Sequence, residues 1–190
     1  LVDEQKFIKN KLFEIKSINN IDVYQKITIR YILNQIKMFL RSFKFKNNVL
    51  GSTQDLSHPL VFLRDLILQH YYEYKVKSFK YDKLEELENF AFMPLLLQPE
   101  ENIDLISTRF NNQIETARLV AMSLPANMKL IIKDHPHMMG KRSPSYLEKI
   151  KYLPNVKIVE SSIPNWKIFK KSKIVIAVSG TSVFEASILG

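Results

Sequence analysis

Ser179, Gly180 and Thr181 stand immediately before an apolar segment of helical character, and their residue types suit a phosphate group. Backbone N–H groups at a helix N-terminus form an anion site with the positive end of the helix dipole. Glycine lets a phosphate approach the backbone closely, and the two hydroxyls add donors. We therefore predict phosphate binding at this turn. A capping box made by Ser182 and Glu185 is the alternative without a ligand; otherwise Glu185 accepts a hydrogen bond from a ribose hydroxyl or a base.

A second group of candidate phosphate ligands surrounds the pair His135-Pro136. Pro136 biases His135 away from the α region, so the imidazole can project into a crevice at the end of an extended segment. A ring nitrogen could donate to a phosphate there, with positive charge added by Lys133 or Arg142. A histidine held only by its loop neighbours is the alternative. A metal site on His135 and His137 lacks further ligands, and we predict none.

Gln98 and Glu100 form the third candidate group, because they follow another β-rich run of the sequence. A carboxylate in this position could orient an acceptor hydroxyl or act as a general base, which makes Glu100 the one catalytic candidate. Alternatively, Glu100 and Glu101 simply begin a solvated loop. The sequence leaves both interpretations open.

Short β-rich runs that alternate with amphipathic segments predict an α/β domain that positions these groups. The predicted strands are residues 90–97, 129–133, 156–159 and 173–178. The predicted helices are residues 112–124, 144–151, 164–170 and 182–189. Such alternation indicates βαβ units and a Rossmann-like parallel sheet. Open parallel sheets bind ligands at the carboxyl ends of their strands, where all three candidate groups fall.

Residues 1–89 predict an α-helical region, so we place a domain boundary between it and residues 90–190. Apolar side chains recur at helical spacing over about residues 29–43 and 56–74, and shorter helices are predicted at about 3–15 and 82–88. We expect the aromatic side chains of this region to belong mainly to a core. A role in binding an acceptor or a membrane surface stays open.

Composition and charge limit the classes of function for this chain of 190 residues. The net charge of +9 suits anionic partners such as nucleotide phosphates, acidic glycans or lipid headgroups. No nucleic-acid-binding motif accompanies the charge, so we expect no nucleic-acid partner. The absence of cysteine excludes disulfides and thiolate metal sites. Because the chain starts at Leu1 and stops at Gly190, directly after a predicted apolar helix, we expect a piece of a longer protein with an incomplete α/β domain.

Taken together and in order, the motifs resemble the capsule polysaccharide biosynthesis family, which contains the capsule Kdo transferases and is similar to bacterial sialyltransferases. The resemblance covers roughly residues 88–190. Its segments are Pro94-Leu95, Gln98-Pro99-Glu100, Lys133-Asp134-His135-Pro136, Gly140-Lys141-Arg142, Asn155-Val156 and Ser179 to Ala186. The sequence departs from the family in two places. Asp134 stands where glutamate is common, and Leu96 stands where histidine is common.

The resemblance implies a GT-B glycosyltransferase whose C-terminal, nucleotide-sugar-binding lobe is residues 90–190. The implied donor is a nucleotide-activated sugar, with CMP-Kdo or CMP-sialic acid favoured, and the implied acceptor is a glycan or a glycolipid. His135 and residues 179–181 would hold the donor phosphate as the sugar leaves, without a metal or another cofactor. The general base would come from the other lobe. The family likeness implies a cytoplasmic enzyme, with a peripheral position at the inner face of the plasma membrane left open.

Two other functions compete with this interpretation, and the sequence makes no prediction of an oligomeric state. The nearest is a UDP-sugar transferase or UDP-sugar epimerase of the same fold. Those enzymes usually carry a glycine-rich turn, whereas this chain has only four glycines. The other is a non-catalytic nucleotide-binding or interaction module. The lysine, histidine and hydroxyl donors at the predicted strand ends argue against that module.

Overall fold

The computed structural model describes residues 27–44 and 59–189, and their side chains except those of residues 42–44 and 189. The helix predicted over residues 3–15 lies outside these ranges. The first two described helices are α1 (Ile29–Lys44) and α2 (Pro59–Lys77), as the apolar periodicity predicts. They contact each other through Phe39 and Phe62, whose ring centroids are 6.2 Å apart.

A four-stranded, all-parallel sheet forms the centre of the α/β domain, which confirms the predicted fold class. Its strands are β1 (Phe90–Pro94), β2 (Lys129–Lys133), β3 (Val156–Val159) and β4 (Ile174–Val175). Their spatial order is β3-β2-β1-β4. The chain therefore builds outward from β1 to β3 and then crosses to the other side of β1. A reversal of this kind opens a crevice at the carboxyl ends of the strands, where α/β proteins bind ligands.

Four further helices connect or follow the strands. They are α3 (Gln113–Ser123), α4 (Pro144–Lys151), α5 (Asn165–Phe169) and α6 (Ser182–Leu189). Short helical turns lie at Leu84–Glu86, Asn102–Ile106, Thr108–Phe110 and Pro136–Met138. The predicted bounds of α4, α6, β2 and β3 are confirmed, because proline or a clear change in apolar pattern marks each of them.

β1 and β4 are shorter than predicted, ending at Pro94 and Val175 instead of residues 97 and 178. The N–H of Leu95 still donates to the carbonyl of Lys133 at 2.9 Å. At Leu96 the chain leaves the ladder, because the side chain of Gln113 binds the backbone of Leu96. The N–H of Leu96 donates to Gln113 Oε1 at 2.7 Å, and Gln113 Nε2 donates to the carbonyl of Leu96 at 3.1 Å. β4 pairs with β1 over two residues, and the N–H of Ile176 adds a last bond to the carbonyl of Phe92 at 2.8 Å.

Both faces of the sheet are covered by buried apolar side chains. Ala91 and Met93 of β1 belong to one cluster, whereas Phe90 and Phe92 belong to the other. This alternation follows from the two-residue period of a strand. The sheet is therefore the middle layer of the domain.

Segments before residue 90 contribute directly to this core. Val76 of α2 lies in the first cluster, and Leu84 and Leu87 lie in the second. The N–H of Asp82 donates to the carbonyl of Ile158 at 2.8 Å, and the N–H of Ile158 donates to Asp82 Oδ2 at 3.1 Å. Residue 90 therefore marks a change of secondary structure and not the edge of the packed domain.

Several side chains of α1 and α2 are exposed although they are apolar or aromatic. Ile29 is 79% exposed, and Tyr71 and Tyr74 are 51% and 71% exposed. The prediction of a core role is wrong for these two tyrosines, because α2 enters the core only near its C-terminal end.

Within residues 27–44 and 59–189, no helix combines the length and apolar character that crossing a membrane requires.

Gly140 packs so closely against α2 that an added side chain would force neighbouring atoms to shift. Its φ is +76°, and an added Cβ would lie 3.0 Å from the carbonyl oxygen of Gln69 and 3.2 Å from Glu73 Cβ. We expect Gly140→Ala to lower the free energy of unfolding by about 1–3 kcal/mol, as measured in urea. Gly180→Ala is the matched control, because its φ is +91° but the nearest atom lies 3.7 Å away. Equal losses in the two variants would contradict close packing at Gly140.

Candidate functional site

A cleft of about 330 Å³ lies at the carboxyl end of the sheet. The segments that follow β1, β2 and β3 form its walls together with the start of α6. Its volume falls in the range of about 300–1,000 Å³ that is typical of small-molecule sites. The predicted site residues that line it are Lys133, His135, Pro136, Thr181 and Glu185. Those that do not line it are Gln98, Glu100, Arg142, Ser179 and Gly180.

Lys133 supplies the cleft with a buried amine. It is the last residue of β2 and is only 5% exposed, and its Nζ donates to the carbonyl oxygen of Ile163 at 2.8 Å. Burial lowers the pKa of Lys133 to about 8, and the charge of Glu185 opposes that change. The amine is therefore a cation at neutral pH, and two of its three hydrogens are available to a second acceptor.

His135 lies half-buried in the cleft and carries its ring proton on Nε2. The backbone N–H of His137 donates to His135 Nδ1 at 3.2 Å, so Nδ1 is the unprotonated nitrogen of the neutral ring. Burial lowers the pKa of His135, the charges of His137 and Lys133 act in the same direction, and Glu100 opposes them. At neutral pH the imidazole is therefore uncharged, with Nε2–H as its donor.

The start of α6 differs in detail from the predicted capping box. The helix begins at Ser182, so Thr181 occupies the position before the first turn. Thr181 Oγ1 donates to Glu185 Oε1 at 3.2 Å, and the N–H of Glu185 donates to the carbonyl of Thr181 at 2.8 Å. The box between Ser182 and Glu185 is therefore replaced by a contact between Thr181 and Glu185. Gly180 precedes this turn with a φ of +91°, and Ser179 Oγ is buried without a hydrogen-bond partner among the described residues.

Arg142 stabilises the turn that carries His135 and does not line the cleft. It is 7% exposed, and its Nη1 lies 2.5 Å from Oδ1 of Asp134, which is 2% exposed. The same guanidinium donates to the carbonyl of Leu96 and lies over the ring of Tyr146. Burial raises the pKa of Asp134, and the charge of Arg142 and the N–H of His135 oppose that change. Arg142, for which the sequence predicts a contact with a phosphate, thus forms a buried ion pair and is not among the residues that line the cleft.

Gln98 and Glu100 shape the loop after β1. Gln98 Nε2 donates to Asp104 Oδ1 at 3.0 Å and to the carbonyl of Asn111 at 2.9 Å, and its Oε1 accepts from Gln113 Nε2 at 2.6 Å. The N–H of Glu100 donates to Asp104 Oδ2 at 2.9 Å. The side chain of Gln98 thus forms its hydrogen bonds within the loop. Burial lowers the pKa of His135 more than the charge of Glu100 raises it.

The segment after β3 and the start of α5 form a wall of the cleft that the sequence interpretation missed. Ser161, Asn165 and Trp166 all line the cleft. Ser161 follows a predicted strand, as the other candidate groups do, so the rule about strand ends applies equally to it. Applying that rule to β3 would have found Ser161, whereas Asn165 and Trp166 lie in the helix predicted over residues 164–170.

Comparisons with models of protein families, with curated proteins and with solved structures gave no match for this chain. In residues 27–44 and 59–189 no three histidine, aspartate or glutamate side chains are grouped to hold a metal ion. The cleft joins an amine, an imidazole N–H donor and the start of a helix. Together these groups can bind an anion that is attached to a larger polar molecule.

Proposed function

We propose that the cleft binds the nucleotide of an activated sugar and that the protein is a glycosyltransferase of surface or capsular polysaccharide biosynthesis. The favoured donor is a CMP-activated acidic sugar of the Kdo or sialic acid type, and the acceptor is a glycan or a glycolipid. The observation that carries this proposal is the meeting of Lys133, His135 and the start of α6 in one cleft. Each of the three is suited to a phosphate oxygen in a different way.

The donors would act on the charge that develops as the donor sugar leaves. Breaking the bond between the sugar carbon and the phosphate oxygen transfers an electron pair to the CMP phosphate. Lys133 would supply a full positive charge, His135 a neutral Nε2–H donor, and α6 its first backbone N–H groups. Donors that are fixed in advance stabilise such charge effectively. Glu185 would accept a hydrogen bond from a ribose hydroxyl, and a group outside this cleft would deprotonate the acceptor.

A thermal-shift titration of the full-length protein with CMP, UDP and GDP tests the choice of nucleotide. Ligands that bind the native state raise its apparent melting temperature. We expect the largest increase with CMP. A shift with UDP but not with CMP would favour a UDP-sugar transferase or epimerase. No shift with any of the three would contradict the proposal, and binding of CMP-sugar without transfer to any acceptor would favour a non-catalytic module.

His135→Ala is expected to weaken CMP binding by about tenfold to 100-fold, because a hydrogen bond to a charged group is worth about 1.5–3 kcal/mol. Isothermal titration calorimetry at pH 7 measures the change. Lys141→Ala is the comparison variant, because that side chain is exposed shortly after the same turn and does not line the cleft. The midpoint of urea unfolding should be similar for both variants. An unchanged affinity in His135→Ala would remove this imidazole from the phosphate site.

A further inference from the structure

Two buried polar atoms in residues 161–166, the segment that follows β3 and enters α5, have no hydrogen-bond partner among the described residues. Ser161 is only 2% exposed, and its Oγ is one of these atoms; Asn165 Oδ1 is the other. Buried polar atoms in native proteins are nearly always paired, and leaving one unpaired costs about 1–3 kcal/mol. Because both residues line the cleft, a ligand bound there can supply the missing partners.

The segment that carries these two atoms lies next to Lys133 and to α6. Lys133 Nζ donates to the carbonyl of Ile163 within this segment. The segment continues into α5, which packs against α6 and shares a hydrophobic cluster with Ala186. A molecule whose phosphate sits against Lys133 and α6 therefore has Ser161 and Asn165 beside it as further polar partners.

We infer that residues 161–166 form the subsite for the base of the nucleotide, an inference that rests on the proposed function. A carboxamide carries an acceptor and donors side by side, which matches the donor and acceptor groups along the edge of a base. Asn165 Oδ1 accepts from an amino or imino group of the base, and Ser161 Oγ takes a second hydrogen bond. Trp166 adds an aromatic wall, since aromatic side chains pack well against bases.

Two lysines lie beside the ring of Trp166. Lys167 Nζ and Lys170 Nζ lie 5.6 Å and 5.2 Å from the centroid of this ring. Cation–π contacts of exposed lysines stabilise an aromatic ring modestly. The subsite thus combines an aromatic wall with two unsatisfied polar atoms.

A comparison of nucleotides with a ligand that lacks the base tests this assignment. The affinities of the full-length protein for CMP, UMP and GMP are measured beside that for ribose 5-phosphate. We expect Asn165→Ala and Ser161→Ala to weaken the best-bound nucleotide about tenfold, the effect of one lost hydrogen bond. The affinity for ribose 5-phosphate should stay within about twofold, because this ligand has no base to contact the loop.

The unliganded variants provide a second measurement. Ser161→Ala removes an unsatisfied hydroxyl, so its melting temperature without ligand should equal or exceed that of the wild type. Asn127→Ala is the control, because this exposed asparagine precedes β2 at the opposite edge of the sheet. Its nucleotide affinity should equal that of the wild type.

The possible outcomes separate this inference from the proposed function. Equal losses for the nucleotide and for ribose 5-phosphate would overturn the base subsite and leave the phosphate site standing. Equally tight binding of nucleotides and ribose 5-phosphate by the wild type would do the same. If the wild type binds none of these ligands, the proposed function fails and the base subsite fails with it.

Discussion

Lys133→Met is expected to weaken CMP binding by about 100-fold or more at pH 7. Methionine keeps the length of the apolar stem but removes the ammonium group, which is the one full positive charge that the structure places in the cleft lining at neutral pH within the described residues. A charge-assisted hydrogen bond contributes about 1.5–3 kcal/mol, and burial strengthens its attraction to the phosphate. Isothermal titration calorimetry measures the affinity.

Lys129→Met is the matched control for this change. Lys129 begins the same strand, but it is exposed and lies at the other end of the sheet. Its replacement should leave CMP affinity within about twofold, because exposed charges at this distance are screened by salt. Similar losses in both variants would show that general surface charge, and not the cleft, attracts the nucleotide.

The same amine predicts how affinity depends on pH. Burial lowers the pKa of Lys133 to about 8, so the free protein loses this charge as the pH rises through 8. A bound phosphate favours the charged form, and affinity therefore falls above pH 8 by up to about tenfold per pH unit. The phosphate has its second pKa near 6 and stays doubly charged over this range. Wild type measured from pH 7 to 9 should show this fall, and Lys133→Met should not.

Arg142→Met is expected to lower the free energy of unfolding by about 3–5 kcal/mol. The change leaves the carboxylate of Asp134, which is 2% exposed, without its partner. Removing one member of a buried ion pair is costly, because an uncompensated charge stays behind. Urea unfolding monitored by fluorescence measures the loss. The double variant with Asp134→Asn should recover part of it, since the charge is then absent.

Arg118→Met is the matched control, because Arg118 forms a comparable pair with Glu115 at the surface. The two side chains are 41% and 46% exposed, and the pair spans one turn of α3. We expect a much smaller loss than for Arg142→Met, because surface ion pairs contribute little to stability. The contrary result is that Arg142→Met lowers the free energy of unfolding as little as Arg118→Met and strongly weakens CMP binding. Arg142 would then contact the ligand, as the sequence alone predicts, and its assignment as a buried partner of Asp134 would be wrong.

The fold was predictable where one residue type decides the local structure. Apolar runs bounded by turns located β2 and β3, and Ser143-Pro144 located the start of α4. The end of β1 was not predictable, because apolar residues continue to Leu97. The strand ends earlier because Gln113, which is distant in sequence, forms hydrogen bonds with the backbone of Leu96. The local sequence pattern does not show which distant side chain competes for the backbone hydrogen bonds of a strand.

The sequence alone could place the candidate site only at the carboxyl ends of the strands. The rule that ligands bind at the carboxyl edge of a parallel sheet brought together Lys133, His135 and Thr181, which line the cleft. It could not give the direction of a side chain. Arg142 turns inward because Asp134 is buried beside it, and only the folded chain brings these two residues together.

The hydrophobic core includes residues before Phe90. These residues limit how short a fragment of this protein can be and still fold. A fragment starting at β1 would lack Leu84 and Leu87 from the cluster around Phe92, and each buried leucine contributes about 1.5–3 kcal/mol. It would also lose both hydrogen bonds between Asp82 and Ile158. Because whole domains are stable by only about 5–15 kcal/mol, a fragment that folds autonomously must begin upstream of Val76, within or before α2.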